Sequence, residues 1–337
     1  MSLEEGIRTA VITCMGVKEH EKVAIVSDNA TMKIGKKIRE VALEITPHVR
    51  FFNLDIYGKR PIEHFPDAIR EAAEECNVGF WTTNSLEGEL ESIRQPFIKK
   101  VLNGGRHGHM VNITEEVIES ALAVDYEEIK EFTDKLYEKL VNTDTVRVTN
   151  EQGTDITASF SERWKWIPSD GICQELGHWN NLPDGEVYTA PLKMEGKIVV
   201  DGVMGEYLGN KYSHEDLKET PITIKIETDE RAKAVDVSCE NDELEKEVDD
   251  YIHLHECSPF VGELGFGTNI FLDELSGNML QDEKFPGIHI AFGDPMAEVT
   301  YADWTCPEHL DMILTKCNVW LDDEKIMENG EYLMEKF

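Results

Sequence analysis

The first 143 residues alternate two rhythms of apolar and polar positions. Val23–Val26, Val49–Leu54, Val78–Thr82 and Met110–Ile113 are short, mostly apolar runs that predict buried strands. Between them, apolar residues recur at three- and four-residue intervals. Ile34, Ile38, Val41, Ala42 and Ile45 mark one helix, and Pro66–Cys76 and Leu90–Leu102 mark two more. The last of these stops at Asn103-Gly104-Gly105, where a positive φ costs little. Asp125 and Glu128 stand at capping-box spacing ahead of a further helix that buries Ile129, Phe132, Leu136 and Leu140. Strands alternating with helices in this way predict an α/β layer around a mostly parallel sheet.

The rhythm changes near Asp144. Alternation over Thr145–Thr149, a turn at Glu151-Gln152-Gly153 and alternation again through Ile156 and Phe160 predict strands on either side of a turn. Further strands are expected at Val187–Ala190, Ile198–Val203, Ile222–Ile226, Leu264–Gly267, Ile288–Phe292 and Leu310–Leu314. The expected fold is α/β, with an N-terminal Rossmann-like α/β domain over residues 1–143 and a larger, β-rich α+β domain over residues 144–337.

Charge sharpens that division. The 337 residues carry 33 Lys and Arg against 67 Asp and Glu, a net −34. Residues 1–144 hold 26 acids and 18 bases, which leaves 41 acids and 15 bases, or −26, for the rest. So negative a chain is repelled by nucleic-acid phosphates and by anionic membranes, and neither is an expected partner. No apolar run approaches the ~20 residues that span a bilayer, and the start, MSLEEGIRTA, is acidic where a secretory leader is basic. A soluble, cytoplasmic protein is expected. Cys14, Cys76, Cys173, Cys239, Cys257, Cys306 and Cys317 are odd in number, scattered and without a CxxC pair. They are expected to be reduced thiols, with no disulfide framework and no zinc cage.

Several common chemistries lack their signals. The turn after the first predicted strand, SDNATMKIG, has no glycines to let a backbone approach a pyrophosphate. Gly262, Gly265 and Gly267 run as GxxGxG, the wrong order for a dinucleotide fingerprint. There is no Walker-type lysine loop and no G-x-S-x-G elbow. What remains is a set of metal-type side chains. His309-Leu310-Asp311, placed on a strand, turns an imidazole and a carboxylate to one side, a pairing that suits a divalent ion. Taken alone, such a triplet is ordinarily a hydrogen-bonded surface pair. His289 falls inside the apolar run Gly287–Gly293, where an imidazole needs a partner, whether a metal or a core hydrogen bond. Glu186 follows a Pro/Gly turn at the head of an apolar strand, and Glu263 sits in Gly262-Glu263-Leu264-Gly265-Phe266-Gly267. Most glutamates in so acidic a chain are solvated surface charges, like the runs at Glu240–Asp250 and Asp322–Glu324; these two stand apart, among glycines and apolar residues. His253-Leu254-His255-Glu256 reads as the exposed exit of a charged helix, and His107 and His109 as loop residues ahead of a strand. Trp164, Trp166, Trp179 and His178 read either as core or as the lining of a substrate pocket.

NNLPDGEVYTAP, GELGFGTN, GNMLQDEK with GIHIAFGD, and HLD occur in that order. Together they resemble the thermophilic metallo-aminopeptidase family, the M29-type aminopeptidase T and S peptidases, most closely over residues 180–311. The resemblance implies that Glu186, Glu263, His289, His309 and Asp311 ligate divalent zinc, cobalt or manganese, up to two ions per chain. It implies water activated against the first peptide bond of a small peptide substrate, and a homodimer. Where the family carries a tyrosine seven residues after the strand histidine, this chain has Met296, with Tyr301 nearby. A related branch, the single-iron dioxygenases that open dihydroxypyridine rings, resembles the chain in size and scaffold. A mononuclear Fe(II) ring-cleaving dioxygenase is therefore the alternative expectation, and a non-catalytic metal-binding homologue a third.

Overall fold

The computed structural model describes residues 2–209 and 211–337. It forms two compact units, one of residues up to Lys130 with Asp170–Asp184, the other of Glu131–Ser169 with Gly185–Phe337. The division does not fall at 143/144, where the texture of the sequence changes. The helix Tyr126–Leu140 runs across it, and Asp170–Asp184 returns to the first unit to supply the edge strand Trp179–Asn181. Composition registers where alternation begins; which sheet a three-residue strand joins is decided by backbone pairing, to which composition is blind.

The first unit is built on a five-stranded, all-parallel sheet in the order Val49–Asn53, Val23–Ser27, Val78–Trp81, Arg106–His109, Trp179–Asn181. Val23–Ser27 and Val78–Trp81 are buried along their whole length, as strands covered on both faces must be. The helix Met32–Ile45 buries Ile34, Ile38, Val41 and Ala42 at the spacing read from the sequence, and Asp67–Glu75 and Gln95–Val101 supply the next two crossovers. The fourth strand is a correction: it is Arg106–His109, and Met110–Ile113 is the segment after it. Arg-His-Gly-His hides a strand because its charged residue finds its partners inside the unit. The Arg106 side chain is 1% exposed, donates to both carboxylate oxygens of Glu21 at 2.8 Å, and reaches the carbonyls of Met15 and Gly16. His107 and His109 are thus strand residues, with their ring nitrogens 3.2 Å apart.

The second unit holds two antiparallel sheets. The larger runs in the order Ala232–Ser238, Ile222–Thr228, Lys193–Val200, Asp155–Ser159, Thr145–Thr149, Asn318–Leu321, Glu324–Glu328, Glu331–Tyr332. The smaller runs His309–Leu314, Gly287–Gly293, Val261–Gly267, Glu186–Thr189, Ile167–Ser169. One core joins them, with Val146, Ile156, Ile198 and Ile224 from the larger sheet against Leu264, Phe266, Ile290, Phe292 and Met312 from the smaller. No helix among the described residues is long and apolar enough to cross a membrane.

The expectation of seven reduced thiols also needs correction. Cys257 and Cys306 form a disulfide across a separation of 49 residues, while Cys14, Cys76, Cys173, Cys239 and Cys317 are free. Both partners lie in loops that only the folded chain brings together, so no spacing motif announces them. The backbone N–H of Cys306 donates to Asp294 Oδ1, which ties the crosslink to the residue whose carbonyl meets His309 Nδ1. Loop-closure entropy for a crosslink of this span stabilises by about 4 kcal/mol. Reduction of the wild-type chain is therefore expected to lower its denaturation midpoint, whereas Cys306→Ser starts low and does not respond. Equal wild-type midpoints in oxidising and reducing buffer would show that the bond contributes nothing.

Candidate metal centre

In four adjacent strands of the smaller sheet, Val187, Leu264, Phe266, Ile288, Ile290, Phe292, Leu310 and Met312 face the core. A period of two then turns Glu186, Glu263, His289, His309 and Asp311 to the opposite face. The register gives each of them a small neighbour across the ladder. Glu186 lies opposite Gly267, His289 opposite Gly265, Glu263 and Asp311 opposite Ala291, and His309 opposite Gly293. This is the physical content of the glycine spacing in GELGFG: a Cβ built on Gly265 would lie 1.9 Å from His289 Nε2.

The five side chains converge. His289 Nε2 is 2.9 Å from Glu263 Oε1 and 3.3 Å from Glu186 Oε2. His309 Nε2 is 3.3 Å from Asp311 Oδ1 and 3.7 Å from Glu263 Oε2. Two triplets result, Glu186/Glu263/His289 and Glu263/His309/Asp311, each with ligand atoms within 4.8 Å of one another and both sharing Glu263. Imidazole nitrogens and carboxylate oxygens at this separation fit a borderline divalent ion such as zinc, cobalt, manganese or ferrous iron. His309 Nδ1 lies 2.8 Å from the carbonyl of Asp294; an N–H there fixes the tautomer and leaves the Nε2 lone pair facing the cluster.

Burial opposes every charge here, and neighbouring opposite charges decide the outcome. It pushes the Glu263 carboxyl above its ordinary value, an effect His289 and His309 only partly offset. Burial acts the same way on Glu186 and Asp311 but is outweighed: Lys284 and His289 hold Glu186 below the usual range, and His309 takes Asp311 down to about 2. Both imidazoles move up against burial, His289 to about 10 beside Glu186 and Glu263, and His309 well above its ordinary value beside Asp311 and Glu263. Without an ion, then, protons on the two histidines serve as the counter-charge of the carboxylates.

Sequence reasoning missed Lys284. Its side chain is 0% exposed, with Nζ 2.6 Å from Glu186 Oε1 and 2.8 Å from Glu283 Oε1. The signal was faint: a lysine beside acids in QDEKFPG is normally a surface residue. Burial raises Glu283 to about 8, with Lys284 opposing and Glu186 reinforcing the rise. The other candidates lie elsewhere. Met296 and Tyr301 both have positive φ, and Tyr301 is exposed with the Lys165 ammonium 4.2 Å from its ring centre. Trp166 packs in the core of the second unit and Trp164 stands edge-on to Trp304, while Trp179 lies on the edge strand of the first unit's sheet. His253 and His255 are exposed at the exit of the helix Asp242–Ile252.

Comparison with known proteins bears on the fold and the family. No curated protein matches the chain. Among solved structures, a 2,5-dihydroxypyridine dioxygenase from Pseudomonas putida KT2440 is similar at 19% identity and a TM-score of 0.71, over 98% of this chain and 96% of the other. Wild-type AmpT from Thermus thermophilus is similar at 15% identity and a TM-score of 0.67, over 98% of each chain. At these identities the likeness is one of fold. The model of the thermophilic metalloprotease (M29) family matches residues 111–309, more than half of the chain and a span that includes Glu186, Glu263, His289 and His309. With that match on a sheet face of three carboxylates and two imidazoles, the chain belongs to the thermophilic metalloprotease (M29) family.

Proposed function

We propose that the chain is an aminopeptidase that removes the first residue of short peptides by metal-assisted hydrolysis. The observation that supports this most directly is Glu263, whose two carboxylate oxygens reach toward two histidines within a set of five donors that includes buried Glu186, Glu263 and His289. Glu263, His309 and Asp311 would hold a divalent ion, with His289 and Glu186 beside them in the second triplet. Such an ion supplies Lewis-acid polarisation of a peptide carbonyl and a water acidic enough to attack near neutral pH.

The chain's own residues do the rest. Asp294 fixes the His309 ring through its carbonyl, and the disulfide-linked loop holds Asp294 in turn. Burial raises the Glu283 carboxyl to about 8, into the range where a carboxyl can exchange a proton near neutral pH. A homodimer that admits only small peptides, and a cytoplasmic setting, belong to the same reading.

The test is release of amino acids from unblocked and N-blocked peptides, before and after chelation. Expected are cleavage of unblocked peptides only, loss of turnover in chelator, and recovery with zinc, cobalt or manganese. Met296 favours a second reading, because a thioether stands where the related peptidases carry a tyrosine hydroxyl. Bound iron, oxygen consumption and no peptide cleavage would establish a ring-cleaving dioxygenase in place of the peptidase. Metal binding without either activity would mark a non-catalytic homologue.

A further inference from the structure

Of the two triplets, one includes Glu186 and the other does not, and the Lys284 ammonium sits on Glu186. We propose that Lys284 takes the place of a second ion, so that the centre holds one divalent ion at Glu263, His309 and Asp311. The inference rests on the metal-centre reading above and concerns only how many ions that centre accepts.

Three observations support it. First, the Lys284 side chain is fully buried, and its Nζ lies 2.6 Å from Glu186 Oε1 and 2.8 Å from Glu283 Oε1. An ammonium out of water stays charged only where carboxylates hold it, so this placement is fixed by the fold and is not a passing surface contact. Second, the other Glu186 oxygen is 3.3 Å from His289 Nε2, so both oxygens already have partners within the chain. An ion sharing Glu186 would face the ammonium across a single carboxylate, where like charges repel strongly in a low-dielectric site.

Third, the charges balance for one ion. Glu186, Glu263 and Asp311 bring −3, and Lys284 with one dication brings +3. Counting Glu283 as ionised leaves −1. A second dication makes the buried site net positive on either count, which is costly. Lys284 is therefore a built-in cation that holds Glu186 in place and closes the second position.

The experiment is a count of ions. Metal-free chain is saturated with zinc, and separately with manganese, cleared of excess, and its ion-to-chain ratio read by elemental analysis beside titration calorimetry. Expected ratios are one for the wild type, one for Lys284→Arg and two for Lys284→Met. Lys284→Gln, which keeps a polar donor beside Glu186 but removes the charge, is likewise expected to give a ratio of two. A ratio of two in the wild type, or of one in folded Lys284→Met, would overturn the proposal. So would a ratio of one in folded Lys284→Gln, which decides the matter even if Lys284→Met does not fold. No bound ion in the wild type is a different result, and it removes the metal centre itself.

Discussion

Glu263→Ala is expected to lower kcat/KM by at least about 10³-fold, the equivalent of about 4 kcal/mol of transition-state stabilisation, and to abolish tight metal binding. Glu263 alone belongs to both triplets, with one oxygen 2.9 Å from His289 and the other 3.7 Å from His309. Without it, the ligand set falls to His309 and Asp311 on one side and His289 and Glu186 on the other. Glu263→Gln is expected to be nearly as damaging, because it keeps the volume and one oxygen but loses the charge that offsets a dication. Far-ultraviolet circular dichroism should be unchanged in the Gln variant, since the backbone ladder of Val261–Gly267 does not depend on the side chain. Turnover within tenfold of wild type in either variant would remove Glu263 from the centre.

The same titrations have a defined pH dependence. In the metal-free chain His289 holds its proton up to about pH 10, and His309 is also raised. An ion must displace those protons, so affinity is expected to climb about tenfold per pH unit for each proton released between pH 6 and 8. Stability of the metal-free chain runs the other way. Raised histidine pKa values contribute fully below the ordinary histidine value, and the contribution is lost as pH rises through the folded value, about 10 for His289. Asp311, held down to about 2, contributes above the ordinary carboxylate range and loses its contribution as pH falls toward 2. A metal affinity flat across pH 6–8 would mean that the histidines are already neutral, and so outside the network drawn here.

What was legible in the sequence follows from where each signal resides. A period of two is local, so the HLD triplet could be placed on one face, and the strand His309–Leu314 does set the two side chains 3.3 Å apart. The anomalous settings of Glu186, Glu263 and His289 were legible too, because glycine and apolar neighbours mark a residue that is not solvated. The misses are non-local. Arg106–His109 reads as polar until Glu21, 85 residues earlier, is seen to neutralise Arg106. Lys284 reads as surface until Glu186, 98 residues earlier, is placed beside it. The Cys257–Cys306 pair and the return of Trp179–Asn181 to the parallel sheet have the same character. In each case the deciding partner is fixed by topology, and no window of sequence contains both halves.

Gly265→Ala is expected to do nearly as much harm as losing a ligand, although it adds one methyl group and removes nothing. Its Cβ would lie 1.9 Å from Nε2, 2.3 Å from Cε1 and 2.6 Å from Cδ2 of His289, overlapping the ring and not a flexible tip. Neither strand can move aside, because Leu264 and Phe266 on one and Ile288 and Ile290 on the other are locked in the core. The ring must leave, and with it go its contacts to Glu263 and Glu186. Overpacking of this kind costs about 1–3 kcal/mol, and stranding buried carboxylates raises the total to about 3–5 kcal/mol. We expect a melting temperature lower by roughly 10 °C and a metal affinity reduced at least about 100-fold. The decisive control is the double variant Gly265→Ala with His289→Ala. If the clash is with the imidazole, deleting the ring relieves it, so the double variant should be more stable than Gly265→Ala alone while still failing to bind metal tightly. Strictly additive losses would show that Gly265 is required for some reason other than making room for His289.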